Sequence, residues 1–249
     1  MRFVGFVLLL FVGVSPLSAS RAHSSLDDAR HARALVGPET WSRIIRVENA
    51  NRASHYPAVV HALVFELGGL LWFYTATDGT QSFSLHANNL EAEKADFRPL
   101  LRDIEQGFVR HEVLPEVEAA PLRRRGALPA GCVIESYAAL RERLAAGERV
   151  LSARLLRYPA AGRRAGHTVL AYETPAGAFV VDPAADVKAV AVNPRLPGDP
   201  LELARAVQPR LTLVKARWLP LVSRAPDTLL ARSGGRSKSA LLQKNAGPD

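Results

Sequence analysis

Cys132 is the only cysteine in the chain, and it stands directly before a run whose apolar residues recur at helical spacing. The first turn of a helix exposes unpaired N–H groups and the positive end of the helix dipole, both of which favour an anion. For a cysteine that anion is the thiolate, the form that attacks carbonyl carbon, and a helix start is one of the places where a thiol becomes acidic. Gly131 precedes it and lets the backbone approach closely. Further along stand His167, at the start of a predicted strand, and Asp182, at the end of the next. A thiol, an imidazole and a carboxylate in this order suit a nucleophile, its general base and acid, and the group that orients the base. An imidazolium beside the sulfur favours the thiolate further.

These side chains can meet only if the intervening elements fold suitably. Residues 131–146 read as a helix with an apolar face of Val133, Ile134, Tyr137, Leu140 and Leu144, closed by Gly147. Residues 150–158 read as a strand, 159–166 as a small basic loop and 167–173 as a second strand. Thr174-Pro175-Ala176-Gly177 is a turn, followed by a strand over 178–181 that ends at Asp182-Pro183. A hairpin centred on that turn sets residue 167 opposite residue 184 or 185, which brings His167 near Asp182. A fourth strand over 187–192, a short helix over 200–207 and a last strand over 211–218 complete this part.

Taken singly, each residue has a plain structural role. A free cysteine is often a buried core residue, a strand histidine is usually satisfied by neighbours, and Asp before Pro commonly ends a strand. Residue type, order, spacing and element type together point to a Cys132-His167-Asp182 triad. The lone cysteine excludes an intrachain disulfide and a multi-cysteine zinc site. His55, His61, His86 and His111 are scattered without paired-ligand spacing, so no metal and no cofactor is expected. Trp72-Phe73-Tyr74 reads as hairpin core, and Glu135 and Tyr137 are explained as well by packing as by lining a cleft.

The rest of the chain sets the context. Residues 1–22 combine Arg2, an apolar run over 3–14, a Ser15-Pro16 break and small residues at 18–20 and 22, the layout of a cleavable signal peptide. That run is short of the roughly 20 apolar residues that span a bilayer, and no later segment is long and apolar enough, so the mature chain is expected to have no transmembrane segment. With 48% hydrophobic and 22% charged residues, the remainder fits a globular protein with a proper core. Residues 23–115 read as a smaller N-terminal αβ portion: a polar leader over 21–38, a helix over 39–51, a β-hairpin over 59–85 split by Gly68-Gly69 and turned at Asp78-Gly79, and an amphipathic helix over 91–108. Residues 116–129 are a Pro/Ala/Arg-rich linker, 130–220 the catalytic core and 221–249 a flexible tail. The net charge of +8, densest at Arg123–Arg125 and Arg163-Arg164, suits an anionic envelope surface. It lacks interleaved stacking aromatics, so no nucleic-acid partner is expected.

The helix-starting cysteine, the Gly166-His167-Thr-Val-Leu-Ala-Tyr172 strand and the Phe179-Val-Val-Asp182-Pro183 strand resemble the catalytic core of the transglutaminase-like cysteine peptidase superfamily, of the bacterial transglutaminase-like cysteine proteinase type. The resemblance covers 130–185, about a quarter of the chain. It implies an α+β fold with a papain/transglutaminase-like core, a nucleophile helix packed on an antiparallel sheet. It also implies Cys132 as nucleophile, His167 as base and acid, Asp182 as orienter, and an oxyanion hole built partly from the Cys132 backbone N–H. Val133 and Thr168-Val169 stand where many members carry aromatic residues. A second resemblance is to bacteriocin-processing peptidases of the papain fold, which share the Gly-His strand and the Asp-Pro ending. No glutamine stands between Gly107 and Cys132 to build their oxyanion hole. The expected function is that of an exported, periplasmic or secreted thiol peptidase or amidase acting on amide bonds of envelope proteins or peptides. The alternative is a catalytically inactive member of the fold that serves as a periplasmic binding protein.

Overall fold

The computed structural model describes residues 25–82, 90–121, 126–160, 163–183, 187–192, 199–219 and 221. The segment read as a signal peptide, and all but residue 221 of the tail, lie outside the described residues. No helix among the described residues is long and apolar enough to cross a membrane. The architecture is α+β, with two five-stranded antiparallel sheets and few helices.

The first sheet has the order β4-β3-β2-β1-β5, formed by β1 (Ser42–Asn49), β2 (Val59–Leu67), β3 (Leu70–Thr75), β4 (Gly79–Ser82) and β5 (Phe108–Val113). The expected helix over 39–51 is instead strand β1. Its apolar residues serve both faces of the sheet: Ile44 joins one core cluster, while Ile45 and Val47 join another. A strand buried on both sides loses the two-residue alternation that identifies it, and the remaining apolar spacing mimics a helix. The leader read as loose contains helix α1 (Ser25–Val36). Asp27 and Asp28 sit in its first turn and Arg33 in its last, complementing the helix dipole. Gly37, at φ +91°, ends it, its N–H donating to the Arg33 carbonyl at 3.0 Å.

The hairpin reading holds for β2 and β3, which turn at Gly68-Gly69, and for the Asp78-Gly79 turn into β4. Residues 83–85 of the expected return strand lie outside the described residues. The single helix expected over 91–108 is two short ones, α2 (Leu90–Ala95) and α3 (Arg98–Ile104), followed by edge strand β5. Pro99, in the first turn of α3, lacks the N–H that would bond the Ala95 carbonyl and continue the ladder from α2.

The second sheet has the order β10-β6-β7-β8-β9. It comprises β6 (Ser152–Ala160), β7 (Arg163–Thr174), β8 (Gly177–Asp182), β9 (Val187–Val192) and β10 (Lys215–Trp218). Strands β6 and β7 run through most of the basic segment read as a loop, and β10 is shorter than the strand expected over 211–218. Helix α5 (Pro200–Arg205) starts at Asp199, whose side chain accepts from the Leu201 N–H.

Helix α4 (Cys132–Ala145) lies between the two sheets. Its Val133, Ile134, Tyr137 and Leu140 share one core cluster with Ile44, Leu63, Phe65, Trp72 and Tyr74 of the first sheet and Leu155, Leu170, Tyr172 and Val181 of the second. The outer face of the first sheet is covered by Phe97, Leu100 and Leu101, and that of the second by Leu203 and Ala204. The expected linker contributes Ala119 and Leu128 to the central core, so it packs rather than merely connects. Ile134 is fully buried at the centre of this cluster. Truncation of Ile134 to Ala is expected to cost about 2–5 kcal/mol in urea unfolding, whereas Val117→Ala, at an exposed position, should change stability by less than about 0.5 kcal/mol.

Candidate active site

Several short-range contacts fix the start of α4. The Gly131 N–H donates to the Leu128 carbonyl at 3.0 Å, and the Gly131 carbonyl accepts from Glu135 at 2.9 Å. The Glu135 carboxylate reaches back to the Leu128 N–H at 2.6 Å, so this side chain ties the approach loop to the first turn of the helix. A Cβ on Gly131 would meet the Leu128 side chain at 2.5 Å, which confines the position to glycine. Ala130 takes the left-handed conformation at φ +49°, uncommon for a residue with a side chain.

The first sheet buttresses this loop. The Tyr74 hydroxyl donates to the Pro129 carbonyl at 2.9 Å. Gly79 packs so closely on Ala130 that an added Cβ would lie 2.5 Å from its carbonyl oxygen. The N-terminal portion therefore helps to position the cysteine. Sequence reading missed this role, although Tyr74 and Gly79 both stood in segments it marked.

His167 follows Gly166, whose φ of +73° and contact with the Tyr158 carbonyl leave no room for a Cβ. Register sets Tyr158 of β6 opposite His167, and the two rings meet edge to face at 5.4 Å. The β7–β8 ladder pairs Leu170 with Val181. Asp182 is therefore opposite Val169, diagonal to His167 on the same face of the sheet. The imidazole Nε2 lies 2.7 Å from Asp182 Oδ2. That bond leaves Nδ1 for the thiol, and the Cys132 and His167 side chains are hydrogen-bond partners. The structure thus brings the three predicted side chains together.

The site is dry, with Cys132 7%, His167 8% and Asp182 7% exposed. Burial pushes the Cys132 thiol up, but hydrogen bonding and charge from His167, together with the hydroxyl and N–H of Thr168, outweigh it and leave the thiol below its ordinary value. His167 is pushed up to about 9, first by its hydrogen bond to Asp182 and then by Cys132, against the opposing effect of burial. Both shifts favour a thiolate–imidazolium pair at neutral pH. Water is largely excluded from that pair, so its charges act on each other at lower effective dielectric than on the surface.

Residues near the site that sequence reading overlooked are Ser136, whose hydroxyl donates to the Thr168 carbonyl at 3.3 Å, and Tyr158. The four-residue step from Cys132 to Ser136 on a predicted helix was the available signal for the first. The other histidines have other partners: His55 bonds Asp78 at 2.6 Å, His61 bonds Ser25 at 2.9 Å, and His111 stacks on Phe97. His86 lies outside the described residues. Among the described residues no group of three or more His, Cys, Asp or Glu side chains could hold a metal ion. Trp72, Phe73 and Tyr74 are buried hairpin core, Glu135 ties the loop, and Tyr137 bonds Thr40 at 3.2 Å. Arg123–Arg125 and the side chains of Arg163 and Arg164 lie outside the described residues. Comparison of the chain with protein-family models, curated proteins and solved structures finds no match.

The His167 shift has a consequence for stability. A group raised in the folded state stabilises fully below its unfolded value of 6.5, and this contribution is lost as pH rises through about 9. Asp182→Asn is expected to lower unfolding free energy by about 2–3 kcal/mol between about pH 5 and 6.5, with the deficit shrinking toward pH 9. Urea unfolding of both proteins across that range checks it, and a pH-independent deficit would contradict the charged pair.

Proposed function

We propose that the protein is an exported cysteine hydrolase, a thiol peptidase or amidase with a papain/transglutaminase-like core, acting on amide bonds of envelope proteins or peptides. The observation that carries this reading is the hydrogen-bonded series Cys132–His167–Asp182, set at a helix N-terminus and kept from water. The Cys132 thiolate attacks the amide carbonyl carbon, forming a C–S bond and a tetrahedral oxyanion. The Cys132 backbone N–H, free at the first helical position, is suited to receive that oxyanion. His167 gives its Nδ1 proton to the leaving amine as the C–N bond breaks. Water then loses a proton to His167 and attacks the thioester, releasing the acid and restoring the thiolate. Asp182 holds the imidazole ring in place and stabilises its charged form.

One observation favours a second reading, an inactive relative that binds envelope components. All three residues are buried, so little surface at the site is open to a bulky substrate. A small electrophile separates the readings. Iodoacetamide at about pH 6.5 is expected to alkylate Cys132 faster than it does an ordinary thiol, which is scarcely ionised there. His167→Ala should slow the reaction at least tenfold while Cys132→Ser abolishes it. Slow alkylation that ignores the His167 substitution would reject the enzyme reading and leave the binding one.

A further inference from the structure

Strand β7 presents alternate residues to opposite faces. Leu170 and Tyr172 join the cluster around α4, whereas Val169 and Ala171 join the cluster under α5. Thr168 falls in the first set by the same two-residue period, so its side chain faces α4. It is 1% exposed. Ser136, one helical turn after Cys132, donates its hydroxyl to the Thr168 carbonyl at 3.3 Å and holds this point of the strand against the start of the helix.

The Thr168 hydroxyl itself is buried and makes no well-formed hydrogen bond in the resting structure. Such a group is costly when nothing satisfies it, and valine would fill the same space without that cost. The neighbouring polar atom is the Cys132 sulfur, on which both the hydroxyl and the N–H of Thr168 act. We infer that Thr168 is a positioning residue for the nucleophile, its buried and otherwise unpartnered hydroxyl turning to donate to the Cys132 sulfur when that sulfur is a thiolate. The inference rests on the proposed triad and adds to it a hydroxyl donor that is neither base nor orienter. A thiolate accepts hydrogen bonds that a neutral thiol accepts only weakly, so the donor favours the charged form selectively. It also fixes the direction of the sulfur, because strand β7 carries both Thr168 and His167 and sets the two donors relative to each other.

The charged and titratable groups around the sulfur are known. His167 and Asp182 approach from the second sheet, Arg157 and Tyr158 lie opposite Thr168 and His167 on β6, and Glu135 on α4 is engaged by the Leu128 N–H. Replacing Thr168 by Val changes none of them and keeps the side-chain volume, so any change in thiol titration belongs to the hydroxyl.

The experiment is a pH titration of thiolate ultraviolet absorbance and of iodoacetamide alkylation, on the full chain, for wild type, Thr168→Val and Thr168→Ser. Thr168→Val is expected to raise the thiolate pKa by about one unit, which lowers the alkylation rate about tenfold at a pH below that midpoint. Thr168→Ser, which restores the hydroxyl, should return the curve toward wild type. Urea unfolding of each variant keeps loss of fold separate from loss of the hydroxyl. A Thr168→Val curve that overlays wild type, with wild type showing a depressed thiol, overturns the role of the hydroxyl and leaves the triad standing. A wild-type thiol that titrates like a free cysteine overturns the triad and this inference together.

Discussion

Helix α4 lies between two antiparallel sheets, and most of its first nine residues are buried. That position makes the rest of the site possible. A cysteine at the N-terminus of a solvent-facing helix would share its anion with water, and the helix dipole would be screened within the first turn. Here the first turn is pressed against β7, and the loop that leads into it is tied to the first sheet through Tyr74 and Gly79. Both sheets must form before the sulfur has fixed neighbours. The chain therefore links one thiol to contacts far apart in sequence, from Leu63 and Tyr74 to Leu170 and Val181.

The electrostatic balance at the sulfur is a contest between burial and partners. Desolvation alone would keep the thiol protonated, and it is the largest single influence on Cys132. It is outweighed only because two neighbouring residues of β7 converge there: the imidazole of His167 and the donors of Thr168. For His167 the order reverses. The Asp182 hydrogen bond comes first, and burial is the lesser, opposing influence. The Asp182 hydrogen bond thus favours the charged imidazole, and the imidazole in turn favours the thiolate. Removing a link from such a series leaves a buried charge without its counterpart, which costs more than the link contributes when intact.

The sequence made the site more legible than the fold around it. Cys132, His167 and Asp182 belong to a helix and a hairpin with strong local signals: a glycine before and after the helix, a Pro-Ala-Gly turn and an Asp-Pro ending. Local signals set local register, and register was enough to bring His167 to Asp182. The front half misled where tertiary burial overrode the local pattern. Strand β1 was read as a helix because Ile44 and Ile45 serve opposite cores, so alternation was lost. The reading of 91–108 as one helix followed a real apolar period but gave too little weight to Pro99. The support that Tyr74 and Gly79 lend to the nucleophile loop is a contact between sheets, and no local period reports it.

The constraint on the site residues is size as much as charge. Gly131 and Gly166 admit no Cβ, and Val133 is 2% exposed within the central core. A side chain at Gly131 would displace Leu128, one at Gly166 would press on the Tyr158 carbonyl of β6, and a larger residue at Val133 would overpack the central core. The positions beside the cysteine and after the histidine hold what this packing allows: a valine that fills the core and a threonine small enough to lie between strand and helix. Close approach of β7 to the helix start is what lets a single strand carry both the base and a hydroxyl donor. An aromatic ring at position 168 would overfill this space and remove the hydroxyl. The two small residues act together: Val133 packs the helix start into the central core, and Thr168 fits a hydroxyl between strand and helix.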